Sequence, residues 1–287
     1  MYYGLIMLSV IIFSGCFAFK SIYRKVRGGS IQATLEFSFA GGIASIIFLT
    51  ILNGLKFEFT PFTLVMALLK SLNGFGFSYC SLKALGRINL SLYSLFSMLG
   101  GMVLPFLQGI IFYGEGITAG KLTCFALISV SLLLTFEKGE KKKGLIFYAG
   151  IFTLNGMSGV LTKIFTSSDF EKTSPEAFQV LISVCSVVIS GILLLTVYRK
   201  SLFESKPSIK LLSACAASNI LNKLGNLWLV IALMHVDASV QYPMVTGGTI
   251  IVSTLIAFFG KNKPSKKELV SVIIAFAGLL ALFAIPV

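Results

Sequence analysis

The sequence predicts an all-α integral membrane protein with ten transmembrane helices arranged as two inverted five-helix repeats. Three observations predict it: a composition too apolar for a water-facing surface, ten apolar runs of spanning length, and a self-similarity between the halves at an offset of 148 residues. Of the 287 residues, 56% are hydrophobic and 12% charged. Soluble domains are about a quarter charged. The mean hydropathy is +0.91.

A helix rising about 1.5 Å per residue crosses a hydrocarbon core of roughly 30 Å in about 20 residues. Runs of that kind fall at 2 to 19, 31 to 53, 62 to 84, 90 to 113, 117 to 136, 144 to 165, 175 to 198, 209 to 233, 238 to 259 and 268 to 286. The first has no basic leader and is followed by further spans, so it reads as a retained helix and not a cleaved signal. The runs are apolar on all sides, whereas barrel strands alternate, and the links between them are too short to bury a soluble core. Cys16, Cys80, Cys124, Cys185 and Cys215 each lie in a different run with no paired spacing. They are expected to pack as small hydrophobes, with no disulfide, metal or cofactor.

The net charge is +13, and its placement assigns its meaning. If the ten spans alternate, 18 lysines and arginines share one face, while the opposite face has only Lys56, Lys121, Lys163 and Lys172, with Lys70 and Lys223 inside the membrane. The positive-inside rule makes the crowded face cytoplasmic and puts both termini outside a plasma membrane. The basic clusters suit anionic lipid headgroups, and no nucleic-acid partner is expected.

The halves, 1–137 and 138–287, match in sequence. "ALGRINLS" at 84 to 91 pairs with "ALMHVDAS" at 232 to 239, each followed by a tyrosine, Tyr93 or Tyr242. "LNGFG" at 72 to 76 pairs with "LNKLG" at 221 to 225, and "FYGEGITAGKL" pairs with the segment beginning "FFGKNKPSKKEL". Five spans is an odd number, so the second copy enters the membrane from the opposite side. Transporters built in this way place the substrate near the midplane, where the copies meet.

In the eighth span, Asn219, Asn222, Lys223 and Asn226 recur three, four and seven residues from the first and so share a helix face. Polar groups facing lipid cost several kcal/mol, roughly, when unpartnered, so this face turns inward. Lys223, near mid-span, needs an anion, carbonyls or water. The third span offers a related face with Lys70, Asn73, Phe77 and Ser81. The candidate substrate-binding residues are therefore Lys223, Asn222, Asn219, Asn226, Lys70 and Asn73, with Tyr93 and Tyr242 as aromatic walls. The asparagines serve equally well as hydrogen bonds between helices. Glu36, a carboxylate within an apolar run whose counterpart is Gln179, is the candidate coupling residue, with an interfacial role as its alternative. Two lysines and one carboxylate would make a net positive cavity, suited to amino acid-like or other anionic and zwitterionic solutes. Pro105 and Pro243, beside "MLGGM" and "TGGT", mark candidate bends. Asn89 and Asp237 read as N-caps, and the lone histidine, His235, as interfacial.

Ten spans in two halves, the "GRINLSLYS" link and the "FYGEGITAGKL" turn resemble the drug/metabolite transporter superfamily, in particular its EamA-type members. The resemblance implies a basket of helices around a central cavity, exporting or exchanging small metabolites. Glu115 falls where such proteins carry an acidic residue after the fourth span, but Gly116 follows it in place of a basic residue, which argues against a specific ion pair at this turn. Many members have cytoplasmic termini, whereas the charge map here points outward.

The expected function is therefore secondary transport by alternating access. The chain has no Gly-rich loop ending in Gly-Lys-Ser/Thr, so it should not hydrolyse nucleotides. The alternatives are a flippase-type lipid-handling component and, less well supported, an intramembrane enzyme, since Asp169 and Asp237 both fall in links. No strong dimer motif stands out, which suggests a monomer or weak homodimer.

Overall fold

The computed structural model describes residues 1–28, 30–85, 90–134, 145–198, 209–259 and 265–285. They form an all-helical protein of ten helices: α1 Tyr2–Arg27, α2 Ile31–Leu52, α3 Pro61–Leu85, α4 Leu90–Tyr113, α5 Ala119–Leu134, α6 Leu145–Ser167, α7 Pro175–Val197, α8 Ile209–Leu233, α9 Ala238–Phe259 and α10 Lys266–Ala284. No strand occurs among the described residues. Among the described residues, four segments are long and apolar enough to cross a membrane, Ile31–Leu52, Phe96–Tyr113, Pro175–Val197 and Lys266–Ala284, as befits a helical membrane protein. The first helix outruns its apolar stretch, ending at Arg27 instead of residue 19, because lysine and arginine continue a helix readily.

Local chemistry sets several helix starts. Ser30 caps α2 by accepting from the Ala33 amide at 3.1 Å, and Ser174 caps α7 just ahead of Pro175. A capping box of Ser265 and Glu268 opens α10. The C-terminus of α4 is a glycine turn. Gly114 has φ 63°, and the Glu115 amide reaches back to the Gly109 carbonyl at 3.0 Å. Gly109 also leaves the space in which the Glu115 carboxylate lies, since a side chain there would overlap it.

The helices pack in a pattern that repeats on adding five. The pair α1–α8 maps onto α3–α6, α2–α8 onto α3–α7, and α1–α9 onto α4–α6, while α2–α7, α4–α9 and α5–α10 map onto themselves. The correspondence is incomplete: α9 and α10 pack more closely than α4 and α5, and the contacts α5–α9 and α6–α8 have no counterparts of like extent in α4–α10 and α1–α3. Small residues let α4 approach α6, with Gly100 lying against the Phe152 carbonyl and Gly156 against that of Gly100. Glycines expected to mark bends thus serve helix contact, as do Gly247 against Ile128 and Gly248 against Val10.

Helices joined by links this short run antiparallel, so residues 53–60, 114–118, 168–174 and 234–237 gather at one end. Hydrogen bonds lace that end. Glu58 accepts from the Ser174 amide at 2.7 Å, and the Thr173 amide donates to Thr63 Oγ1 at 3.1 Å.

The contact at Gly100 is against backbone, which cannot swing aside. Gly100→Ala is expected to cost about 1–3 kcal/mol as overpacking, despite alanine's better helix propensity. Gly15→Ala, with open space around it, should not destabilise. Thermal unfolding of the two variants checks the contrast.

Candidate functional site

The polar faces of α3 and α8 meet across a cavity of about 260 Å³, whose wall is completed by α2, α6 and α7. Lys223, Asn222, Asn219 and Asn226 of α8 all line it, as does Lys70 of α3. Lys70 donates to Thr162 Oγ1 on α6, and its ammonium lies 5.9 Å from the centre of the Phe178 ring. Lys223 has no hydrogen-bond or ion-pair partner among the described residues. The three donors of its ammonium therefore face the cavity unspent.

The asparagines divide their roles. Asn226 Nδ2 donates to the Asn222 carbonyl at 2.8 Å and to its Oδ1 at 3.2 Å, which ties up one side of each. Asn219 packs against Gly41 of α2 and donates to the Cys215 carbonyl at 3.0 Å, so it fixes a helix crossing as well as lining the cavity.

Sequence reasoning missed two contributors. Gln179 of α7 is buried, lines the cavity, and has no hydrogen-bond partner for Nε2. Its alignment with Glu36 was the available signal. A row of serines is the other. Ser71, Ser183, Ser186 and Ser190 donate to backbone carbonyls at 2.6–2.8 Å, which leaves oxygen lone pairs as the acceptors they can offer. The cavity thus combines unspent cationic and amide donors with neutral acceptors. Among the described residues, no carboxylate lines it.

Other expected site residues lie elsewhere. Asn73 donates to the Leu154 carbonyl at 2.9 Å and holds α3 to α6 outside the cavity. Tyr242 donates to the Gly159 carbonyl at 3.0 Å and likewise joins helices, α9 to α6. The Tyr93 side chain and Asn89 lie outside the described residues. Glu36 is held by Arg27 through two hydrogen bonds of 3.0 and 3.1 Å, beyond the cavity wall. His235 stacks on Tyr2 with ring centres 4.0 Å apart. Among the described residues, no group of three or more His, Cys, Asp or Glu is placed to hold a metal.

The cavity is lopsided. Its lining runs from Lys70 and Gln179 toward Thr34 at the start of α2, Ser78 late in α3 and Ser190 late in α7. None of its lining comes from the four laced links.

A buried ion pair reinforces the laced end and corrects the expectation for this turn. Glu115 Oε1 lies 2.7 Å from Lys163 Nζ, with both side chains under a tenth exposed. The same carboxylate accepts the Ala238 and Ser239 amides, each at 2.8 Å, and so caps α9. Asp237, expected as that cap, turns its side chain to Lys121 at 2.7 Å. The partner of Glu115 comes from α6 and not from the adjoining residue, which local spacing had no means to reveal. Lys121 and Lys163, counted above on the sparsely charged face, are thus buried pair members. Burial works against the Glu115 charge, but hydrogen bonds from Lys163, Ser239 and Ala238 hold its carboxyl below the ordinary value of 4.5.

No family model matches this chain, and no curated protein matches it. Among solved structures, 29 chains match. One, a crystal structure of a protein, is 15% identical and superposes with a TM-score of 0.75 over 96% of this chain and 94% of its own. At that identity the likeness shows the fold alone.

Removing one member of a buried pair strands the other. Glu115→Ala and Lys163→Ala should each cost about 3–5 kcal/mol, while the double variant should cost clearly less than their sum. A double-mutant cycle on thermal unfolding measures the coupling. Acid acts on the same bonds. A carboxyl whose folded value is lowered stabilises the protein above its unfolded value and loses that contribution as pH falls through the folded one. Thermal stability should therefore decline below pH 4.5, and less steeply in Glu115→Gln.

Proposed function

We propose that this chain is a secondary transporter that moves small anionic or zwitterionic metabolites, amino acid-like solutes among them, by alternating access. Lys223 carries the reading: a cation in mid-helix, without a hydrogen-bond or ion-pair partner among the described residues, lining a cavity with many polar groups. An ammonium in such a place needs an anion or water, and a translocated solute provides the anion in turn.

The packing pattern supports the architecture expected from sequence, ten spans as two inverted five-helix repeats of the drug/metabolite transporter type. A pseudo-two-fold axis exchanging the halves would produce the pairing that repeats on adding five. In this reading the laced end is closed and the cavity communicates with the end that carries the basic links. The positive-inside rule makes that end cytoplasmic and puts both termini outside. Opening the laced end requires the Glu115–Lys163 pair and the Glu58–Ser174 bond to separate, so these contacts form the closed gate. Solute passes by export or exchange, and the protein itself carries out no chemistry.

A flippase is the weaker alternative because lysines, asparagines, serines and Gln179 make up most of the residues lining the cavity, as suits a soluble solute, although Leu35, Phe75, Ile182 and Ile189 share the wall.

Purified protein in liposomes tests the proposal. After a thermal-shift screen of anionic and zwitterionic metabolites, Lys223→Ala should abolish uptake of the stabilising solute while leaving insertion and folding intact. Uptake at the wild-type rate would make the lysine structural. A cysteine at position 142 should resist labelling from outside intact cells, and labelling there would reverse the orientation.

A further inference from the structure

A second cleft, of about 290 Å³, lies between the last turns of α1 and α7, the first half of α2 and the start of α8. It is separate from the lysine-bearing cavity and differs from it in chemistry. Its floor and walls are apolar, from Phe39, Ala40, Gly191, Leu194 and Leu212. Leu195 and Leu212 at its edge are 64% and 43% exposed, and Ile192 and Ile209 nearby are 57% and 87% exposed, so it borders the surface that faces hydrocarbon. An apolar cleft there cannot be filled favourably by water.

One end of the cleft is polar. Arg27 and Glu36 meet there at 2.9 Å, and Tyr23 donates to the Ala33 carbonyl at 3.0 Å. Glu36 engages Arg27 through Nε and Nη2 and the same guanidinium hydrogen-bonds Tyr23, so part of its five donors has no partner among the described residues. In sequence, lysine and arginine are concentrated at this end of the bundle: Lys20, Arg24, Lys25 and Arg27 fall late in α1, and Arg199, Lys200 and Lys210 fall between the end of α7 and the start of α8. The cleft therefore joins an apolar trough to the Arg27 guanidinium at the basic end of the chain's charge map, which is the profile of an amphiphile with a negative head.

We infer that this cleft is a binding site for an anionic phospholipid of the surrounding bilayer, with one acyl chain along Phe39, Ala40 and Gly191 and the headgroup at the Arg27 rim. A zwitterionic phospholipid would fill the trough equally well but bring a second positive charge to the basic end. The inference rests on the helical membrane fold and stands whether or not the protein transports a solute.

The test uses the full purified chain in detergent, with thermal unfolding and native mass spectrometry in the presence of phosphatidylglycerol, phosphatidylcholine or inorganic phosphate. Phosphatidylglycerol should be retained and raise the unfolding temperature by several degrees more than phosphatidylcholine, and inorganic phosphate should have no effect. Ala40→Phe and, separately, Leu212→Phe narrow the trough and should reduce retention of both lipids. Arg27→Gln with Glu36→Gln keeps a neutral polar pair and should narrow the preference for phosphatidylglycerol. Lipid-free circular dichroism and unfolding temperature show that each variant is folded, and two trough variants guard against the loss of one. Equal effects of the two lipids on the wild type, an unchanged preference in every folded variant, or stabilisation by inorganic phosphate alone would overturn the site.

Discussion

Hydrocarbon offers no hydrogen bonds, so each polar group carried into it must find a partner within the protein or line a wet space. The arrangement of this bundle follows from that constraint. Serines on α7 bond their own helix, Asn73 and Tyr242 bond neighbouring helices, and Ser131 and Ser271 bond each other across α5 and α10 at 2.8 Å. Among the described residues, four buried side-chain atoms lack a hydrogen-bond partner, and of these only Gln179 Nε2 borders the cavity that contains Lys223. Gln179 Nε2 thus borders the same cavity as Lys223, whereas Gln108 Oε1, Ser239 Oγ and Gln241 Oε1 belong to residues outside its lining.

The two ends of the bundle solve a second problem differently. At one end, carboxylates fasten helix N-termini, where amide groups lack partners within the helix and the helix dipole favours negative charge. Glu115 serves α9 and Glu58 serves Ser174 at the start of α7. At the other end the links are basic, and the cavity lining runs toward them. Under the proposed transport function, a bundle tied at one end by polar bonds, with its cavity running toward the other, would be one state of an alternating cycle. Polar bonds suit a gate because water can replace them when they part, whereas a packed apolar seal would have to expose hydrocarbon surface.

Much of this was legible in the sequence because the signals are periodic. Apolar runs of spanning length located the helices to within a few residues at most ends, and the three-four spacing of Asn219, Asn222, Lys223 and Asn226 fixed a shared face before any neighbour was known. Residues whose role depends on a distant partner were not legible. Asn73 looked like a member of the same polar face as Lys70, yet the Leu154 carbonyl on α6 claims it. Glu115 was discounted because its partner was sought in the adjoining residue, while Lys163 stands 48 positions away in sequence and 2.7 Å away in space. Gln179 carries no charge to mark it, and only the wall it joins reveals its unspent donor.

The central claim is that Lys223 lies in a wet cavity reached from the basic end of the bundle. A cysteine at Asn222, in a chain otherwise freed of cysteine, tests it with a membrane-impermeant maleimide added to either side of oriented vesicles. Labelling from the side of the basic links and protection from the opposite side are expected. Labelling from the opposite side alone, or from neither, would contradict the claim.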